Sequence, residues 1–269
     1  MILEQHYLGC LSQASYFLCD PSTGEAVVVD PRRDIEVYLE SARRHGVKIK
    51  HVILTHFHAD FLAGHLELRD HEGARIYLGA KAQAEFDFEP LTEGDTLELG
   101  SLRLSVLETP GHTPEGISIL VYDLEESSER PHAVLTGDTL FIGDVGRPDL
   151  LSSAGLSAEE LASELYVSLH SKLMKLPPET LLYPGHGAGS ACGRALSNET
   201  VCTIGRQLSS NYALQPMTED EFVELLCAPR PAHPAYFSHS AALNKSERPV
   251  LSQALRKSLV PLDIEAVLH

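Results

Sequence analysis

The chain has 269 residues, 43% of them hydrophobic, with no tryptophan and a formal net charge of −17 with histidine neutral. That length supports one large, mainly aliphatic core or two small ones and argues against global disorder, while the acidity disfavours nucleic acid and anionic membranes as partners. No apolar run approaches the roughly 20 residues that cross a bilayer, and the start MILEQHYLG lacks the basic-then-apolar order of a signal peptide, so a cytoplasmic protein is the expectation.

In chain order, Ala14 to Cys19 and Ala26 to Val29 read as strands around an Asp-Pro-Ser-Thr-Gly turn. Ile35, Tyr38, Leu39 and Ala42 recur at helical spacing, which predicts a helix over Asp34 to His45 with Gly46 as its stop. His51 to Leu54 is a short buried strand, and Asp60 is placed to cap a helix through about Arg69, with His65 on it. Further strands are predicted over Ile76 to Leu78, Thr96 to Leu99, Leu102 to Leu107, Ile117 to Tyr122, Ala133 to Leu135 and Leu181 to Tyr183. Glu125 to Arg130 reads as an exposed hairpin tip. Ser157 to Leu173 and Met217 to Cys227 read as helices, the latter with Thr218 as cap and Glu221 completing a capping box. A proline-rich tail follows, with Pro229, Pro231, Pro234, Pro249 and Pro261; arms of this kind pack across neighbours, so a homodimer is one expected assembly. Strands of antiparallel type interleaved with helices predict a layered α/β domain.

Four segments share one grammar: an apolar run, a turn, then side chains able to bind metal. They are VILTHFHAD at 52–60, VLETPGHT at 106–113, VLTGDT at 134–139 and LLYPGHG at 181–187. Strands of one sheet that end at a common edge bring such residues together. His56 and His58 are two apart and share no helix face, so strand-like or loop backbone must present them. One can ligate an ion while the other orients a carboxylate, water or substrate. No GxSxG elbow, GxGxxG or P-loop pattern offers a competing chemistry. His6, His45, His51, His71, His132, His170, His233, His239 and His269 read as surface residues or hydrogen-bond partners. The five cysteines are odd in number and form no CxxC pair, which fits reduced thiols; Cys192 reads as a packed one.

HFHAD at 56–60, GHT at 111–113, GDT at 137–139 and PGH at 184–186 together resemble the metallo-beta-lactamase fold family over most of residues 1–200. The resemblance implies an α/β architecture, a four-layer αβ/βα sandwich with metal at the edge between its two sheets. Members commonly bind two ions through HxHxDH and later His, Asp and His residues. Here Phe61 follows Asp60, and a phenyl ring cannot coordinate. The departure implies one ion held by His56, His112 and Asp138, with His58, Asp60 and His186 beside it as hydrogen-bonding groups and water holders. Two imidazoles and a carboxylate form the facial set of non-haem Fe(II) oxygenases.

TGDTLFIGDVGRPDL at 136–150 and SNETVCTIGRQLSSNYALQPMTEDEF at 197–222 are similar to the persulfide dioxygenase branch, in the form that precedes a rhodanese domain. The resemblance implies a catalytic domain over residues 1–244, a linker-like tail over 245–269, and a functional link to a rhodanese-type sulfurtransferase. It implies Fe(II)-dependent oxidation of glutathione persulfide by O₂ and water to sulfite and thiol, with zinc as an inert substitute at the same residues. Arg147, Asp149 and Tyr183 are the expected substrate contacts, with a loop-pinning salt bridge of Arg147 to Asp149 as the alternative, Arg194 and Arg206 as further basic candidates, and Asn211 and Tyr212 holding the C-terminal segment. The nearest alternative is a hydroxyacylglutathione-type thioester hydrolase with zinc or a dinuclear centre. Antibiotic-hydrolysing and RNA-processing relatives fit less well, given the absent export signal and the acidic charge.

Overall fold

Alternation along the N-terminal strands divides their apolar residues between two faces. Val27, Val29 and Ile53 enter one cluster with Leu104, Ile119 and Leu135. Ala26, Val28 and Val52 face the other way, onto Tyr38, Leu39 and Ala42 of helix α1 (Glu36–His45). The structure is a computed structural model and describes residues 1–150, 156–193, 196–228 and 234–253.

The first sheet runs in the order β1 (Ile2–Leu8), β2 (Gln13–Asp20), β3 (Glu25–Val29), β4 (Lys48–Ile53), β5 (Arg75–Gly79) and β6 (Glu89–Leu91). The second contains β7 (Thr96–Leu99), β8 (Leu102–Glu108), β9 (Ile117–Asp123), β10 (Ala133–Gly137), β11 (Leu181–Pro184) and β12 (Cys202–Thr203), in the order β12-β11-β10-β9-β8-β7. Helices α1 and α2 (His65–Glu72) lie on the first sheet. Helix α3 (Ala158–Val167), with Leu165 and Leu169, packs onto the second through Leu120, Val134 and Leu182. Helix α4 (Ile204–Ser210) and α5 (Glu219–Cys227) complete that outer layer, and α6 (Phe237–Lys245) follows. The result is the expected αβ/βα sandwich.

The predicted strands are all present, with ends shifted by up to three residues. β1, β6, β12, α4 and α6 were not anticipated. β1 is half-buried along its length and carries no clean alternation, while α6 reads FSHSAALNK with no apolar stripe. The expectation of antiparallel pairing is corrected for three of the five pairs of the first sheet, β3–β4, β4–β5 and β5–β6, and for β10–β11 of the second, all of which are parallel. The crossovers through α1 and α2 make this possible. The capping box at Thr218 and Glu221 is formed.

The helix predicted from Asp60 begins only at His65, with Gly64 at its N-cap. Asp60 is instead turned inward, 9% exposed, towards His186. The helix predicted to run to Leu173 is α-helical only to Val167, then π-helical over Ser168–Lys172. The segment after α6 is not a free tail as far as it is described. Buried Arg248 donates to both carboxylate oxygens of Glu67 in α2, at 2.8 and 3.1 Å. Pro229, Pro231, His233, Pro261, His269 and Arg194 lie outside the described residues.

Candidate metal centre

Four chain segments deliver the site residues from the same edge of the sandwich. β4 ends at Ile53 and the chain continues through Leu54 and Thr55 to His56, His58 and Asp60. β8 leads to His112, β10 to Asp138 and β11 to His186. Main-chain hydrogen bonds lock these exits together: Ile117 N donates to Thr55 O at 2.9 Å, Gly185 N to Gly137 O at 2.7 Å, and Ala14 N to Gly185 O at 2.8 Å. The motif glycines answer to geometry. Gly137 sits at φ 49°, and a Cβ on Gly185 would lie 2.5 Å from Asp138 Oδ1.

Each of three histidines has its Nδ1 engaged. His112 Nδ1 donates to Arg147 O at 2.9 Å and His186 Nδ1 to Ser12 O at 3.2 Å. Thr55 Oγ1 donates to Asp30 Oδ2 at 2.8 Å, so its lone pair receives His56 Nδ1 at 3.0 Å. This fixes the tautomers and leaves every Nε2 bare. The three Nε2 atoms converge on Asp138 Oδ2, at 3.8 Å for His56, 3.5 Å for His112 and 3.6 Å for His186. Those gaps are too long for hydrogen bonds, but two donors each about 2.1 Å from one tetrahedral ion lie about 3.4 Å apart.

The burial test agrees. Both carboxylate oxygens of Asp138, Oδ1 of Asp60 and Nε2 of His186 are buried without a hydrogen-bond partner, a costly state unless a cation satisfies them. Burial pushes the Asp138 carboxyl up, yet the facing histidines, His186 first, outweigh it and hold the group ionised. Burial, with His58, His112 and His186 nearby, keeps His56 well below the usual imidazole range and so neutral, as a ligand must be. The donor atoms of His56, His112 and Asp138 all lie within 4.8 Å of one another. These residues fit a divalent ion, consistent with iron or zinc.

The donor atoms of a second set, His58, Asp60 and His186, likewise lie within 4.8 Å of one another. Its geometry differs. His58 Nε2 lies 3.0 Å from Asp30 Oδ1 but neither His58 ring nitrogen has a hydrogen-bond partner, and the Phe61 ring packs against His58 at a tilt, with centroids 4.4 Å apart. Burial lowers the His58 pKa, but Asp30, Asp138 and Asp60 together raise it above the ordinary value. Asp60 Oδ2 lies 3.4 Å from His186 Nε2.

The expected substrate contacts each have partners within the chain. The Arg147 guanidinium is 6% exposed and forks onto both oxygens of Asp149 at 2.6 and 2.7 Å, while its carbonyl orients His112. Tyr183 packs edge-on against Tyr16 with centroids 5.6 Å apart. Arg206 pairs with Glu199 on the surface. Asn211 and Tyr212 bind the loop that follows Asp138, through Asp144 O at 3.0 Å and Asp144 Oδ1 at 2.7 Å.

Several contributors escaped the sequence reading. Asp30 closes β3 at φ 51° and receives Thr55 N and Thr55 Oγ1, with His58 Nε2 3.0 Å from its Oδ1. An acidic residue ending the run Val27-Val28-Val29 had the same grammar as the other four segments and was the available signal. Cys192 is packed, as expected, but its sulfur also lies within 4.8 Å of the donor atoms of Asp138 and His186. Asn244 is wholly buried and binds the metal-motif loop from α6.

The comparisons with known proteins agree with this geometry. Crystal structures similar to the chain include a metallo-beta-lactamase from Staphylococcus aureus (34% identity, TM-score 0.86, covering 93% of this chain and 73% of that one). ETHE1 from Myxococcus xanthus is similar at 28% identity and TM-score 0.75, over 91% of this chain and all of that one. The cytoplasmic hydroxyacylglutathione hydrolase of Arabidopsis thaliana is 37% identical over 174 residues, 64% of this chain and 62% of its own length. The chain spans 52% and 66% of two further curated relatives. Among the described residues, no helix is long and apolar enough to cross a membrane. The Metallo-beta-lactamase superfamily profile matches residues 8–186, and the chain belongs to that superfamily.

Proposed function

We propose that the centre holds one Fe(II) on His56, His112 and Asp138 and serves a cytoplasmic persulfide dioxygenase. The substrate is a low-molecular-weight persulfide, glutathione persulfide in the first instance. RSSH, O₂ and H₂O become RSH, sulfite and two protons, with four electrons passing from sulfur to O₂. The observation that carries this reading is Phe61. It packs against His58 with ring centroids 4.4 Å apart, beside the second donor set, and a phenyl ring offers that set no ligand atom.

The ion, when bound, supplies open positions for sulfur and O₂ and the redox chemistry that joins them. Zinc on the same residues lacks that redox chemistry. The chain's own residues fix the tautomers of His56 and His112 through Thr55 and the Arg147 carbonyl. Phe57, Phe61 and Phe141 are all 5% exposed or less and shield the surroundings from water. Asp60 and His186 stand where they can hold water or move a proton. Sulfite release makes a sulfurtransferase of rhodanese type a natural functional neighbour.

A second reading is hydrolysis of a glutathione thioester, with an ion in each donor set. The donor set His58, Asp60 and His186 favours it, and so do the curated relatives, which are hydrolases by name. The second donor set and the relatives together support this reading better than the first. Oxygen-electrode traces with glutathione persulfide, run beside an acylglutathione hydrolysis assay on the same iron-loaded and zinc-loaded protein, separate them. Oxygen consumption by the iron form alone supports the dioxygenase. Thioester turnover without oxygen uptake supports the hydrolase.

A further inference from the structure

A cavity of about 220 Å³ opens beside the metal centre, lined by Phe57, Ala59, His112, Thr113, Phe237 and Lys245, among others. One end meets a proposed metal ligand, His112. Lys245, at the C-terminus of α6, also lines it, with Nζ 5.3 Å from the centroid of the Phe57 ring. Most of the wall is apolar. Small-molecule sites of this kind place a few polar groups on an apolar surface to set orientation.

Lys245 differs from the other cations near the centre. Arg147 is consumed by Asp149, Arg33 by Glu67 and Arg248 by Glu67. Among the described residues, no carboxylate lies within ion-pair distance of Lys245 Nζ, although the chain carries 38 acidic residues. The end of the helix that carries it is also held in place. The neighbouring Asn244 is bound to the motif loop by three hydrogen bonds of 2.7 to 2.9 Å, so α6 and its terminal lysine move with the metal ligands.

We propose that Lys245 is a specificity-determining residue that takes a carboxylate of the thiol carrier, with the sulfur end of the same molecule directed past His112 to the metal. The inference rests on the proposed use of a glutathione-type carrier, and both functional readings release that thiol. It deepens them by naming an acidic thiol over a neutral one as the ligand, and it replaces Arg147 as the carboxylate anchor. The cavity is smaller than the roughly 300–1,000 Å³ typical of drug-sized ligands, which suits one arm of a short peptide thiol.

The test is calorimetric binding of S-methylglutathione and of its glycine amide to metal-loaded protein, with Lys245→Gln and Lys245→Arg in parallel. The wild type is expected to bind the free acid about three- to tenfold more tightly than the amide, as for a partly exposed charged hydrogen bond. Lys245→Gln should abolish that ratio while leaving amide affinity unchanged, and Lys245→Arg should keep most of it. Equal binding of acid and amide by the wild type, an equal loss of both in Lys245→Gln, or no binding at all would overturn the proposal. Binding that depends on Lys245 in a protein that does not consume oxygen would retain the anchor and remove the dioxygenase. Oxygen consumption without Lys245 dependence would do the reverse.

Discussion

The side-chain amide of Asn244 donates to the carbonyl of His58 at 2.8 Å across 186 positions of sequence. The same nitrogen reaches Phe61 O at 2.7 Å, and the amide oxygen receives Ala63 N at 2.9 Å. A helix from the C-terminal region therefore fixes the loop that carries Asp60.

Asn244→Ala strips one buried N–H and two buried carbonyls of their partner. The expected cost is about 2–3 kcal/mol in chemical denaturation, since each unsatisfied group carries about 1–3 kcal/mol of desolvation. Metal retention during dialysis against a weak chelator should fall with it. A variant of unchanged stability and metal content would show that the clamp is incidental.

Phe61→His places an imidazole where the second donor set lacks one. The metal content measured by mass spectrometry should rise from one ion per chain towards two, and oxygen uptake should fall. An unchanged stoichiometry would show that something other than Phe61 limits the second position.

His65 is fully buried in α2, tilted against Phe86 with centroids 4.8 Å apart, and neither ring nitrogen has a hydrogen-bond partner. Burial, with Arg248 nearby, holds its pKa well below the ordinary value. The unfolded chain therefore takes up a proton below about pH 6.5 that the folded chain refuses. Stability from this group is complete above that pH and lost as pH falls, at up to about 1.4 kcal/mol per unit. His65→Leu should flatten the profile between pH 6.5 and 5 by that amount. Parallel profiles for the two proteins would contradict the assignment.

Cys192 places sulfur beside Asp138 and His186, and burial together with Asp138 and Asp60 keeps the thiol well above its usual pKa. A soft donor at this position favours zinc. Cys192→Ala, equilibrated with equal iron and zinc, should bind about tenfold less zinc relative to iron than the wild type. An unchanged ratio would mean that the sulfur does not engage the ion.

The sandwich and the main donor set were legible because both rest on local pattern. Buried strands announce themselves by runs such as Val134-Leu135, and His56, His112 and Asp138 each follow one. The orientation of side chains was not legible. Gly-Arg-Pro-Asp allows Asp149 either to fix Arg147 or to meet substrate, and nothing in it shows that the arginine carbonyl is what reaches His112. Asp60 looked like a helix cap because its spacing from the next apolar residues allowed it, but attraction to the buried histidines decides its rotamer. Asn244 and Lys245 were invisible for a different reason: α6 has no apolar stripe, and its role is set by contacts about 180 residues away in sequence.

The account stands on a single ion, and anomalous diffraction from crystals of protein purified without added metal tests that directly. It predicts one iron peak between His56, His112 and Asp138, with His58 beside Asp30 and Phe61 packed against its ring. Two peaks of comparable height, the second bound by His58, Asp60 and His186, would contradict it.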